Sequence, residues 1–156
     1  MSSSPSPKSN SAENTAPQSS RLARGLVTFI GVSRTLAGVG CLLAPSMTAT
    51  LFGFSTLSPE AALLARMFGA REIVIGEGLL LAERHQSTSH GTPQMHAAHQ
   101  QLVRAIWANI AKDGLDILAV LVTLGLGMAD EVPVGKMAAT AGLFVGLGLG
   151  AVWMYK

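Results

Sequence analysis

Residues 137–154 read MAATAGLFVGLGLGAVWM, eighteen positions without a charged side chain on any face. A helix of a soluble bundle sets a charged face against an apolar one. This stretch has no polar face to offer water. Extended to residues 134–155, with Pro133 at its start, it exceeds the roughly 20 residues that cross a hydrocarbon core of about 30 Å. Leu, Ala and Gly dominate and β-branched residues are few, so the segment reads as helix. In lipid a helix satisfies its own backbone polar groups.

Three more segments of this kind lie upstream. One covers residues 22–44 and stops before Pro45, because a residue preceding proline avoids the helical region. Another covers 59–83, with Ser58 as N-cap and Pro59 at the first helical position. A third covers 101–128. Between them, 45–58 is an uncharged loop, 84–100 a polar loop holding all four histidines, and 129–133 an acidic turn. Residues 1–20 hold eight Ser and three Pro with almost no large apolar side chain, which predicts a disordered tail. The expected fold is all-α, an integral membrane four-helix bundle with a disordered N-terminal tail. Residues 21–156 form its one membrane domain.

Composition agrees with that reading. Charged residues make up 13% of the 156, about half of what a soluble domain carries, and the mean hydropathy is +0.41. A net charge of +2 gives no electrostatic footprint for nucleic acid. A single cysteine, Cys41, excludes a disulfide framework. The tail has no apolar stretch of the secretory kind, and its few basic residues lack the apolar face of a transit peptide. With four spans, both termini share a side with the 84–100 loop. That side carries Lys8, Arg21, Arg24, Arg84, Arg104 and Lys156, and the other only Lys136. The positive-inside bias places both termini in the cytosol.

The few charges inside the spans are the informative ones. Arg34 lies in the first span, Arg66, Arg71, Glu72 and Glu77 in the second, and Lys112, Asp113 and Asp116 in the third. Four are positive and four negative. A charge at the bilayer centre costs about 2.5–3.5 kcal/mol on insertion scales, so equal numbers imply mutual pairing inside the bundle. Asn109, Asp113 and Asp116 share one helix face, Lys112 and Asp116 are four apart, and Gly69, Glu72 and Gly76 line one face. The simplest assignment sets Arg34 and Arg71 against Asp113 and Asp116, with Glu72 or Glu77 completing the cluster. Two readings fit. Buried ion pairs fix helix register, or the cluster is a mid-membrane site in which a carboxyl acts as acid or base beside an arginine.

Other features weigh less. Ala138, Gly142, Gly146 and Gly150 recur every four residues, a row that lets another helix approach closely. Its partner is expected to be the first span through Gly31 and Gly38, with a homo-oligomer face as the rival. His85, His90, His96 and His99 read as solvated loop residues, and Trp107, Trp153 and Tyr155 as interfacial anchors.

The run Ala65-Arg66-Met67-Phe68-Gly69-Ala70-Arg71-Glu72, followed by Gly76, has the form R-x-x-G-x-R-[DE]-x-x-x-G. It follows an arginine-bearing first span, the Pro45 turn and Phe52-Gly53-Phe54, and precedes the acidic pair Asp113 and Asp116. This order resembles the small membrane proteins of bacteria and fungi grouped as domain of unknown function 4267, over residues 22–155. The resemblance implies a four-helix membrane bundle and no reaction. The Ser/Pro tail and the His-rich loop depart from the compact family pattern, as in a fungal member.

No phosphate loop, zinc-protease motif, serine-hydrolase elbow or dinucleotide fingerprint occurs, so no cofactor and no metal is expected. The leading expectation is an accessory or structural membrane component. The alternative is a cofactor-free membrane enzyme acting on a lipophilic small molecule. A small transporter fits less well, because no internal repeat is visible.

Overall fold

In a computed structural model, residues 18–89, 93–127 and 131–155 are described, and they contain no strand. Five helices follow in order: α1 (Gln18–Leu43), α2 (Pro45–Phe52), α3 (Pro59–Thr88), α4 (Met95–Gly125) and α5 (Glu131–Met154). The expected disordered tail lies outside the described residues for positions 1–17, while 18–20 already belong to α1.

Local chemistry sets the boundaries. Ala44, before Pro45, has φ −134° and ψ 62°, so α1 stops there. Pro45 then starts α2 at once, since its fixed φ suits a first helical position. The uncharged segment 45–58 is therefore not a loop throughout. Its first half is a short helix, closed by Gly53 at φ 97°. There the Gly53 N–H donates to Thr50 O (2.9 Å) and the Phe54 N–H to Ala49 O (3.1 Å). Ser58 caps α3 as its position suggests, its Oγ accepting from the Ala61 N–H at 3.2 Å. Ser58→Ala is expected to lower stability by about 1 kcal/mol, read as a small drop in thermal midpoint.

The polar loop expected at 84–100 is mostly helix. α3 continues to Thr88 and α4 starts at Met95, so His85 rides on α3 and His96 and His99 on α4. His90 lies outside the described residues. Hydropathy marks where a helix stops being apolar. Glu83, Arg84, His85 and Gln86 are polar yet keep their helical backbone bonds. The acidic turn shrinks likewise, because Glu131 to Pro133 form the first turn of α5 and 128–130 lie outside the described residues.

α1 packs against α3, α4 against α5, α1 against α5 and α3 against α4, which closes a four-helix ring. The α1–α3 contact is the tightest. A Cβ added at Gly69 would lie 2.5 Å from Gly38 O, and one at Gly76 would lie 2.7 Å from Gly31 O. Gly31 and Gly38 therefore meet α3 and not the glycine row of α5. At Gly142 and Gly146 an added Cβ would meet open space. One apolar core, Val27, Ile30, Leu79, Ala82, Leu102, Ile106, Ala151 and Val152, draws on all four long helices at the end where α1 starts and α5 stops.

The outside of the bundle is apolar. Among the described residues 25 large apolar side chains are exposed, including Phe29, Leu36, Leu64, Val74, Leu115, Leu121 and Trp153, against 12 buried apolar residues. Two helical stretches, Arg21–Leu43 and Pro133–Met154, are long and apolar enough to cross a membrane. α3 and α4 have the length, 30 and 31 residues, but carry the internal charges.

Candidate functional site

Six charged side chains from α1, α3 and α4 meet near the middle of the bundle. Arg34 of α1 is 2% exposed and holds two carboxylates at once. Its Nη1 donates to Glu72 Oε2 of α3 at 2.6 Å, and its Nη2 donates to Asp113 Oδ2 of α4. A guanidinium fork suits this task, since it offers parallel donors in one plane. Lys112 Nζ reaches all three acids: Glu72 at 2.6 Å, Asp113 at 3.0 Å and Asp116 at 2.9 Å. Arg71 closes the outer edge on Asp116 at 3.3 Å and Glu72 at 3.5 Å.

Aromatic rings cover the cations. The Phe144 ring of α5 lies 4.7 Å from the Arg34 guanidinium, and Phe68 lies 4.8 Å from Arg71 and 5.5 Å from Lys112. Ring faces attract cations, more strongly when water is absent. Through Phe144 all four long helices take part. Three positive and three negative charges cancel.

The sequence expectation holds for much of this set. Arg34 pairs with Asp113, Arg71 pairs with Asp116, and Glu72 completes the cluster. Glu77 does not join it. It is exposed and, among the described residues, makes no ion pair, as is also true of Arg66. The helix period explains this, because Glu77 is five positions beyond Glu72, about 140° round α3 from the buried face. Lys112 is the hub, whereas its spacing suggested only the link to Asp116. Phe68 and Phe144 were not anticipated. Phe68 at least carries a signal, lying one helical turn before Arg71 and Glu72.

Burial divides the network. Arg34, Glu72 and Asp113 are enclosed, with Asn109 one turn away donating its Nδ2 to Ala105 O at 2.9 Å. Arg34 Nε and Asn109 Oδ1 are buried without a partner among the described residues. The edge is different: the Arg71 side chain is 43% exposed and that of Asp116 30%. Past this edge, away from the start of α1, α4 buries no residue after Asp113 and α3 buries none before Gly69.

At the opposite end, Arg24 pairs with Glu83 at 2.9 Å. His99 is half-buried, its Nδ1 3.3 Å from Gln86 Nε2 and its ring edge against Tyr155. It is thus a packed residue, while His85 and His96 are exposed. Two shallow surface hollows, one beside α2 and one between the start of α1 and the end of α5, do not reach the network.

No known family matches the chain, and neither a curated protein nor a solved structure matches it. The resemblance drawn from residues 65–76 and the helix order therefore rests on those residues alone.

Proposed function

We propose that the chain is a four-span membrane protein, an accessory or structural component of the kind grouped as domain of unknown function 4267, and that its ion network locks the spans together. The observation that carries this reading is where the charges of α3 and α4 go. Of the eight charges inside the four apolar segments, away from their ends, six (Arg34, Arg71, Glu72, Lys112, Asp113 and Asp116) are paired with one another, and Arg66 and Glu77 are not. Neutralised inside, the six leave an outer surface dominated by leucine, with valine and methionine. Arg66 and Glu77 lie five and six residues either side of Arg71, roughly 8–9 Å along the helix, where long side chains reach toward the two faces of a bilayer.

A further observation bears on orientation: the end where α1 starts and α5 stops exposes Arg21, Arg24, Arg84 and Arg104, with Glu83 paired to Arg24, and an excess of arginine favours a cytosolic face there. The chain is expected to stay in the membrane pellet through an alkaline carbonate wash. Release into the supernatant would overturn the reading.

A second reading is favoured by the half-exposed edge. Asp116 beside Arg71 is an acid next to an anion-stabilising group, the pair a cofactor-free enzyme would use on a lipophilic small molecule. Asp116→Asn separates the two. An enzyme keeps its fold and loses conversion of its substrate, whereas a lock loses folded protein.

A further inference from the structure

We propose that Arg71 and Asp116 also form the centre of a parallel homodimer, built by packing the α3–α4 seams of two copies about a two-fold axis normal to the membrane. This rests on the membrane reading above, since in water the same edge would simply be hydrated.

Arg71 and Asp116 are the members of the network that reach the surface. Arg71 makes all of its polar contacts through Nη2, at 3.3–3.5 Å. These are long for charge-assisted bonds, which settle nearer 2.7–2.9 Å. Its Nη1 and Nε make no hydrogen bond to any described residue, and the side chain is 43% exposed. The surroundings are apolar and open. Leu64 and Met67 precede Arg71 on α3 by seven and four positions, and Leu115 and Val122 flank Asp116 on α4; each is more than half exposed. A hydrocarbon medium offers no hydrogen bonds to the spare donors of a guanidinium.

The pattern of charge selects the occupant. Arg71 and Asp116 touch, so they lie at one depth. A two-fold axis along the membrane normal preserves depth. It brings Arg71 to the partner's Asp116 and Asp116 to the partner's Arg71, so both contacts form together, as an isologous interface requires. A lipid phosphate would satisfy Arg71 but would stand against the Asp116 carboxylate. A plain apolar helix would leave both ions unmet. The patch is complementary to itself. It is also distinct from the glycine row of α5, where Gly142 and Gly146 face outward without any charge.

Charge reversal provides the test. The full chain is reconstituted in lipid vesicles at decreasing protein-to-lipid ratio, and association is read by energy transfer between labelled copies. Wild type is expected to dimerise. Arg71→Asp alone and Asp116→Arg alone are expected to lose association by about tenfold or more, because like charges then meet across the axis. Co-expressed with different tags, the two variants are expected to co-purify, since each acidic edge then faces a basic one. If neither folds alone, recovery of folded protein on co-expression supports the same conclusion. A second measurement does not depend on these variants. With Cys41→Ser as background, oxidative cross-linking is expected from Leu115→Cys or Ala119→Cys and not from Gly142→Cys. Monomeric wild type, association indifferent to charge reversal, or cross-linking confined to Gly142→Cys would each overturn the proposal. A carbonate wash of the same membranes tells a failed dimer from a failed membrane assignment.

Discussion

Arg34→Met is expected to remove most of the folded protein. Arg34 holds Glu72 and Asp113 together across three helices and is 2% exposed. Without it, two carboxylates face each other with Lys112 as their remaining shared cation. Removing one partner of a buried pair costs about 3–5 kcal/mol, a large part of the roughly 5–15 kcal/mol that holds a domain together. Charge balance makes a sharper forecast. Arg34→Met with Asp113→Asn removes one charge of each sign and restores neutrality. The double variant is expected to be more stable than the sum of the two single losses implies, a coupling that a double-mutant cycle reads directly. Arg34→Lys keeps the charge but replaces the planar fork by a single ammonium, so it is expected to recover only part of the loss. The measurement is the monodisperse fraction and the thermal midpoint in detergent. Wild-type values for Arg34→Met would show that the network contributes nothing to the fold.

The second large effect belongs to the glycines between α1 and α3. Gly69→Ala places a methyl 2.5 Å from Gly38 O and 2.8 Å from Cys41 Cβ, and Gly76→Ala places one 2.6 Å from Thr35 Oγ1 and 2.7 Å from Gly31 O. Backbone oxygens cannot rotate aside, so the helices must separate. On the membrane reading proposed above, no hydrophobic force acts between helices in lipid, so close packing supplies much of the association and separation forfeits it. Each substitution is expected to cost about 1–3 kcal/mol, with larger residues costing more. Separation of α1 from α3 also lengthens the bond between Arg34 and Glu72, so the losses at Gly69 and Arg34 are expected to be non-additive. Gly142→Ala and Gly146→Ala, where an added Cβ meets open space, are expected to leave the monomer fold unchanged. Equal losses at both sets would mean that the α1–α3 contact has no special role.

The helical class was legible from apolar length and the scarcity of charge, and most of the network from the equal numbers of opposite charges. Glu72 was separable from Glu77 only by following the helix period from the buried Gly69 and Gly76. The role of Lys112 as hub is not legible in the sequence, because spacing speaks only to its own helix and its contact with Glu72 of α3 is set by packing. The close contact of Gly31 and Gly38 with α3 was also not readable. A glycine row reports that some helix approaches, not which one. α2 is not legible because a proline reads as a stop, whereas the same ring that ends α1 begins the next helix. The ends of α3 and α4 differ from the apolar segments because hydropathy falls where polar side chains begin and not where the helical hydrogen bonds end.

The central claim is that α3 and α4 cross the bilayer despite their charges, because those charges pair inside. The most direct test is sided labelling of two single cysteines in a Cys41→Ser background, one at Ser55 between α2 and α3 and one at Thr88 at the end of α3. Both positions are exposed. Four spans put them on opposite faces, so an impermeant maleimide is expected to label one from outside sealed vesicles and the other only after permeabilisation. Labelling of both from the same face would mean that α3 does not cross, leaving α1 and α5 as the only spans and contradicting the account.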